Sequence, residues 1–150
     1  DTQLSLGMEG LAPVLAHTEI IFVNKEETYQ LTGVQPERTR DDEQQMMRML
    51  HEAGCRYVVI TEGAEGSSGY DGESYYLVPA YDAEVASTVG AGDSFAAGCL
   101  AGLHRGLTLP EAMKIGAINA SHVIRRIGAK NGLLTWDEAI RALAEAEARG

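Results

Sequence analysis

The sequence predicts an α/β fold in which helices cover a mostly parallel sheet, giving three layers. Two apolar runs, at residues 20–23 and 57–61, are too short for helices and are rich in β-branched side chains, which indicates buried strands. Strands that are apolar on both faces and separated by a helical segment are typical of parallel sheets covered by helices. No repeat, low-complexity tract or linker interrupts the chain, so residues 1–150 are expected to form a single domain.

The other elements follow from the spacing of apolar residues and from residues that end helices. Pro13 lies inside the first predicted helix, whereas Gly33 and Gly54 end the second and third. Residues 63–69 are predicted to form a flexible turn, and Asp71-Gly72 between two tyrosine-bearing segments predicts a hairpin. The predicted helices span residues 8–16, 24–33, 40–53, 91–105, 109–127 and 135–148.

Composition excludes several classes of protein. The 150 residues carry a net charge of −10, with 45% hydrophobic and 23% charged residues, which indicates a soluble globular protein and argues against nucleic acid or anionic membranes as partners. No run approaches the roughly 20 apolar residues of a membrane span, and the N-terminus lacks signal-peptide features. Cys55 and Cys99 are far apart and form no CxxC pair, so a reducing, cytoplasmic location is expected.

The most informative motif lies in a segment without Lys or Arg, between Arg56 and Arg105. There Gly90 and Gly92 stand at the start of a predicted helix. Glycines allow backbone conformations closed to other residues and a close approach by a ligand. The unpaired N–H groups and the positive dipole end of a helix start attract anions without a basic side chain. The motif therefore predicts an anion site.

Asp93, in the first turn of this helix, has two interpretations. It is either a helix stabiliser or a general base that takes a proton from a hydroxyl while the anion site holds a phosphoryl group. Gly98 and Gly102 each cost the helix about 1 kcal/mol relative to alanine, which predicts a close approach of another element to that face. The GxxxxGK[ST] motif is absent, and GxGxxG fails because Phe95 occupies its last glycine position.

Residues 89–98, Val-Gly-Ala-Gly-Asp-Ser-Phe-Ala-Ala-Gly, resemble the C-terminal signature of the ribokinase-like (phosphofructokinase-B-like) carbohydrate kinases. Residues 24–27 are similar to the NxxE motif of that family, and residues 61–66 to its T-x-G-x-x-G nucleotide loop. Residues 117–121, with 128–129 beyond them, resemble the helix and turn that border the adenine. These four landmarks occur in the family order.

The resemblance implies a ribokinase-like fold and ATP-dependent phosphorylation of a sugar hydroxyl. Asp93 would be the base that deprotonates the substrate. The amides of Gly90, Ala91, Gly92 and Asp93 would form the anion hole for the transferred γ-phosphoryl group. Phosphoryl transfer of this kind depends on positioning and charge stabilisation more than on covalent chemistry.

The resemblance also assigns residues to ATP and Mg²⁺. Asn24 and Glu27 would help to place the magnesium ion and the phosphates through water, although the same pair fits a helix capping box. Many members carry Asp, which helps to hold a monovalent cation, where Ser87 stands here, so potassium activation stays open. The residues expected to line the nucleotide are Thr61, Gly63, Gly66 and, near the base, Asn119.

Family members are about twice as long, and their sugar contacts and lid lie mostly in the N-terminal half. The resemblance therefore implies that residues 1–150 are a C-terminal ATP-binding and catalytic portion, inactive alone, whose missing lid half would form a homodimer contact. The expected partner is a small-molecule sugar, with no nucleic acid and no membrane. Two alternatives stay open: a nucleoside or vitamin-alcohol kinase of the same superfamily, and a non-catalytic nucleotide-binding or assembly module.

Overall fold

The computed structural model describes residues 4–34 and 39–149. Its strands are β1 (Ile20–Asn24), β2 (Tyr57–Thr61), β3 (Ser67–Tyr70) and β4 (Tyr75–Val78). Its helices are α1 (Gly7–Leu15), α2 (Lys25–Thr32), α3 (Arg40–Glu52), α4 (Ala91–His104), α5 (Leu109–Val123) and α6 (Trp136–Glu147). Short 3-10 turns span Leu4–Leu6 and Gly63–Glu65. Within the described ranges, no helix is long and apolar enough to cross a membrane.

The contacts divide the chain into two compact units. The first contains the described residues up to Glu62 together with Ser68–Tyr76, and the second contains Gly63–Ser67 and the described residues from Leu77 onward. The first unit therefore carries α1 to α3 with the β1–β2 pair, and the second carries α4 to α6. That residues 1–150 form a single domain stays a prediction.

The sheet confirms the α/β class that the sequence predicts. Its strand order is β1-β2-β3-β4, and β1 and β2 are parallel, with Ile20 opposite Tyr57 and Asn24 opposite Thr61. Only four residues join the neighbouring strands β3 and β4, which therefore run antiparallel, since a parallel connection needs a longer crossover. This mixed sheet includes the hairpin that Asp71-Gly72 predicted. Asp71 Oδ1 accepts the amide of Ser74 at 2.8 Å and so stabilises the turn.

In the first unit, α1, α2 and α3 bury their apolar sides against the parallel strands. Side chains cap the starts of α2 and α3, a left-handed Gly33 caps the end of α2, and Gly54, at φ 124°, follows the C-cap residue Ala53 of α3. Both helices therefore keep close to the predicted bounds. The resulting core contains Leu15, Val23, Leu31, Met47, Leu50, Cys55, Val58 and Ile60. Both strands thus contribute buried side chains, as their continuous apolar character predicts.

In the second unit, α4 and α5 approach each other closely through glycines. A Cβ at Gly98 would lie 3.0 Å from Gly116 Cα, and one at Gly102 would lie 2.9 Å from Ala112 Cα. A Cβ at Gly116 would come within 2.7 Å of the Phe95 carbonyl oxygen. The close approach predicted from the glycines of α4 is therefore confirmed, and this packing offsets their low helix propensity.

Two predicted boundaries are wrong. The flexible turn at residues 63–69 is shorter, because Gly63–Glu65 form a 3-10 turn and β3 already begins at Ser67. The helix predicted to reach residue 127 ends at Val123. The carbonyl oxygen of Ile124 accepts the amides of Ala86 and Ser87, at 2.8 and 3.1 Å, so the polypeptide leading to α4 is anchored where α5 ends.

Candidate nucleotide and catalytic site

The start of α4 is shaped by Gly90, which precedes the first helical residue. Gly90 has φ 84° and ψ 2°, a left-handed conformation that favours glycine. A Cβ at this position would lie 2.8 Å from both Cα and the carbonyl oxygen of Ala129. Conformation and space therefore both require glycine here. Two of the landmarks noted in the sequence, at residues 90 and 129, lie in direct contact.

The first-turn amides of α4 are only partly used by the protein. The amide of Ala91 donates to the carbonyl of Thr88 at 3.2 Å, whereas those of Gly90, Gly92 and Asp93 have no acceptor in the part of the chain that the structure describes. Gly92 and Asp93 are exposed, and a Cβ at Gly92 would meet no atom within 4 Å. The donors open to an outside anion are thus fewer than the four amides that the resemblance implies.

Asp93 is the third residue of α4, and its carboxylate is exposed to solvent. Among residues 4–34 and 39–149, no hydrogen bond or ion pair engages this carboxylate. The next residue, Ser94, is buried, and its hydroxyl donates back to the Ala91 carbonyl at 2.9 Å. The helix therefore holds Asp93 at a fixed position beside open amides, with its acceptor oxygens free.

Asn119 on α5 braces this helix start. Its side chain is 6% exposed, and Nδ2 donates to the carbonyl of Ser94 at 2.8 Å. Its Oδ1 accepts the amide of Leu134 at 3.1 Å. The side chain thus joins α4 to the polypeptide that precedes α6. Sequence reasoning placed Asn119 near the base and missed this brace, although a lone amide on an otherwise apolar and small-residue helix face was the available signal.

The two glycines of the predicted nucleotide loop, Gly63 and Gly66, differ in how closely they are packed. Gly63 starts the 3-10 turn with φ +54°, and a Cβ there would meet nothing within 4 Å. Gly66 has φ +98°, and a Cβ there would lie 2.3 Å from the carbonyl oxygen of Val78. Gly66 is therefore required by packing within the second unit, whereas Gly63 leaves its surroundings open.

In the first unit, Asn24 and Glu27 form a complete capping box at the start of α2. Asn24 Oδ1 accepts the amide of Glu27 at 2.8 Å, and Glu27 Oε2 accepts the amide of Asn24 at 2.9 Å. The capping interpretation is thus confirmed, and the role in placing magnesium stays a prediction. No three His, Cys, Asp or Glu side chains of the described ranges are arranged to hold a metal ion directly.

Thr61 lies opposite Asn24 at the carboxyl ends of the parallel pair, and its hydroxyl donates to the Val23 carbonyl at 3.5 Å. Just beyond both strands, Lys25 Nζ lies 2.6 Å from Glu62 Oε1. Burial lowers the pKa of Lys25, but the hydrogen bond and charge of Glu62 outweigh it, so the pKa is raised. Sequence reasoning missed this pair, because nothing local in the sequence connects residues 25 and 62.

Ser87 lies in the turn before α4, where its hydroxyl accepts the amide of Val89 at 3.3 Å. This contact shapes the approach to Gly90.

The chain is similar to known proteins over most of its length. The model of the pfkB family carbohydrate kinases matches residues 3–136. The cytidine kinase of Thermococcus kodakarensis is 34% identical over 120 residues, covering 79% of this chain and 41% of that enzyme. The 1-phosphofructokinase of Haloferax volcanii is 33% identical over 127 residues, covering 85% and 41%. The structure of Arabidopsis thaliana ribokinase with ribose and ATP has a TM-score of 0.81 at 26% identity, covering 88% and 43%.

Each match covers most of this chain but less than half of the related protein. The family model and the relatives extend over most of this chain, whereas the chain spans about two fifths of the length of the curated relatives that it matches. The family indicated by the four sequence landmarks is confirmed. The chain belongs to the pfkB family of carbohydrate kinases and has a ribokinase-like α/β fold.

Proposed function

We propose that this chain provides the ATP-binding and catalytic portion of a kinase that phosphorylates a hydroxyl group of a sugar or sugar derivative. The observation that carries the proposal is the start of α4, where exposed amides without acceptors adjoin the free carboxylate of Asp93. Family membership supports the reaction class. The similar Arabidopsis ribokinase is complexed with ATP, which supports ATP as the phosphoryl donor.

In this proposal Asp93 takes the proton of the substrate hydroxyl as its oxygen attacks the γ-phosphoryl group of ATP. The amides of Gly92 and Asp93 stabilise the negative charge on the transferring group, which passes from the β-phosphate oxygen to the substrate oxygen. Backbone donors of this kind explain how a segment without Lys or Arg can hold a triphosphate.

Asn24 and Glu27 are proposed to hold magnesium through water. Each keeps an oxygen lone pair beyond its capping bond, and oxygen ligands suit this ion. Bound magnesium neutralises phosphate charge. Thr61, Gly63 and Gly66 are proposed to line the nucleotide, and Asn119 to act there by holding Ser94 and Leu134 in place.

The proposal also covers the remainder of the protein, its location and its substrate. We propose that the chain is a C-terminal portion, inactive without a substrate and lid half through which a homodimer would form. The 41% coverage of the relatives fits a portion of a longer protein. The free, buried Cys55 and Cys99 fit a reducing cytoplasm. A nucleoside is the second candidate substrate, because the cytidine kinase shares 34% identity with this chain.

The test is phosphoryl transfer from ATP to a panel of sugars and nucleosides by the full-length gene product that carries this chain. Asp93→Asn is expected to lower kcat at least about a hundredfold with little change in ATP affinity, because only the proton acceptor is lost. Asp137→Asn, an exposed acid in the first turn of α6, is the matched control and is expected to keep normal turnover. Normal turnover in Asp93→Asn would contradict the proposal.

A further inference from the structure

Two ion pairs flank the parallel strands of the first unit, one at each end. Glu19 and Arg56 immediately precede β1 and β2, and Arg56 Nη1 lies 2.8 Å from Glu19 Oε1. Lys25 and Glu62 immediately follow the same strands, and their closest atoms are 2.6 Å apart. The two pairs are therefore equivalent in register and opposite in position along the strands.

The pairs differ in their surroundings. The side chains of Arg56 and Glu19 are 64% and 66% exposed. Lys25 is 15% exposed and Glu62 is 39% exposed, and Lys25 Nζ also lies 3.8 Å from Oε2 of Glu43 on α3, a side chain 12% exposed. The hydroxyl of Ser68 on β3 donates to Oε1 of Glu43. Partly buried charges held by several elements are costly to separate, whereas exposed pairs contribute little.

The stability of α2 does not explain why a lysine stands at its first position. Lys25 is the first residue of that helix, where the positive end of the dipole disfavours a cation. The ammonium group is nevertheless held by two carboxylates outside α2, those of Glu62 just after β2 and of Glu43 on α3. Its effect is to tie the start of α2 to the end of β2.

The residues next to this pair are those proposed to serve the nucleotide. Lys25 follows Asn24, and Glu62 follows Thr61, which lies opposite Asn24 in the strand register. In open α/β sheets, ligands bind at the carboxyl ends of the strands. A contact that fixes these two strand ends relative to each other also fixes the side chains of Asn24 and Thr61.

We propose that the Lys25–Glu62 ion pair is a positioning contact that holds Thr61 against the start of α2, so that the Asn24 and Thr61 segments together accept the phosphates of the nucleotide. The inference rests on the proposed function. Neither charged group touches the nucleotide in this scheme. Glu43 and Ser68 keep the ammonium group in place from the other side.

The experiment measures KM for ATP, kcat and the melting temperature of the full-length product. Lys25→Met and Glu62→Gln are each expected to raise KM about tenfold with kcat within about twofold, a coupling of the size found for contacting residues. The double variant is expected to match the single ones, and Lys25→Arg to restore most of the affinity. Arg56→Met, which removes the equivalent pair at the other strand ends, is expected to leave KM unchanged.

Other outcomes overturn the inference. A lower melting temperature with normal KM in Lys25→Met and Glu62→Gln would show that the pair only stabilises the fold. Effects that add in the double variant would show that the two residues act separately. Failure of the wild-type protein to bind Mg–ADP would remove the proposed function and this inference together, whereas wild-type binding with normal KM in both variants removes the inference alone.

Discussion

Helices α2 and α4, in different units, both begin at residues to which the proposed function gives a role, yet their first turns are completed in opposite ways. Asn24, before α2, is extended at φ −83° and ψ 167°, and its side chain closes a reciprocal pair of hydrogen bonds with Glu27. Gly90, before α4, is left-handed at φ 84° and ψ 2°, and no side chain caps the helix. At the start of α2 the side chains of Asn24 and Glu27 each accept a backbone amide, whereas at the start of α4 the amides of Gly92 and Asp93 have no acceptor among the described residues.

The acidic residue at the third helical position makes the contrast clear. In four helices this residue accepts the amide of its own cap residue, namely Glu27, Asp42, Glu111 and Glu138. Asp93 occupies the same position in α4 without doing so. The left-handed cap explains the difference, because the other four caps are extended and present their amides to the third residue. The glycine cap thus leaves both the amides and the carboxylate without a partner among the described residues.

The largest expected effect concerns Gly90. Gly90→Ala adds a left-handed alanine, at about 1–2 kcal/mol, and a contact of 2.8 Å with Ala129, so a loss of about 3 kcal/mol in unfolding free energy is expected. Gly33→Ala is the control, because Gly33 is left-handed at the end of α2 but has nothing within 4 Å. Its loss should be only about 1 kcal/mol. Equal losses in urea unfolding would contradict the packing argument.

Gly92→Ala is expected to stabilise the free protein and to weaken its binding of Mg–ADP. Gly92→Ala puts a methyl group into open space, so the free protein should gain up to about 1 kcal/mol from helix propensity. The same methyl group would block the approach of a phosphate to the amides, and the dissociation constant of Mg–ADP should rise about tenfold, equivalent to about 1.4 kcal/mol. Urea unfolding and calorimetric titration measure the two effects. Unchanged affinity would indicate that the phosphates do not approach here.

The start of α2 is capped by the side chain of Asn24. Asn24→Ala is expected to lower the unfolding free energy by about 1 kcal/mol, because the Glu27 amide loses its acceptor. Asn24→Ser should keep most of the stability. Thr135→Ala removes the equivalent cap of α6 and should cost a similar amount without changing nucleotide binding. A neutral result for Asn24→Ala would mean that water caps α2 equally well.

The smallest effect is the pH dependence of the closed capping boxes. Hydrogen bonds from the Thr108 and Thr135 hydroxyls and amides hold the pKa of Glu111 and Glu138 below the usual 4.5. Their contribution to stability is therefore present above pH 4.5 and is lost as the pH falls through the lower folded pKa. In Glu138→Gln the melting temperature should fall less steeply with decreasing pH than in the wild-type protein. The same dependence of melting temperature on pH in the variant and the wild type would contradict a stabilising role of the ionised Glu138.

Local signals in the sequence predicted most of the elements. The apolar runs locate β1 and β2, Asp71-Gly72 locates the hairpin, and the Asn24…Glu27 spacing predicts the capping box. These features depend on residues within a few positions of one another. For the same reason the sequence can predict an anion site at Gly90 to Asp93, since glycines at a helix start are a local pattern; that site stays a prediction.

The missed features all depend on distant residues. β3 begins at Ser67 although the Ser-Ser-Gly run has small side chains and no alternating apolar signal. α5 ends early because the carbonyl of Ile124, just past its last residue, accepts the amides of Ala86 and Ser87, about forty positions away. The engagement of Asn119 with Leu134 and the pairing of Lys25 with Glu62 likewise require the folded chain.

The glycine-lined contact between α4 and α5 limits which genetic changes this region can accept. Every amino-acid replacement at Gly98, Gly102 or Gly116 introduces a Cβ, and each would press on backbone atoms of the facing helix at 3.0 Å or less. On the opposite side of α4, Ala97 and Leu100 are exposed and have room for larger groups. A saturation library of α4 should therefore show alternating intolerance and tolerance with the helical period, even in an assay that reports only soluble expression.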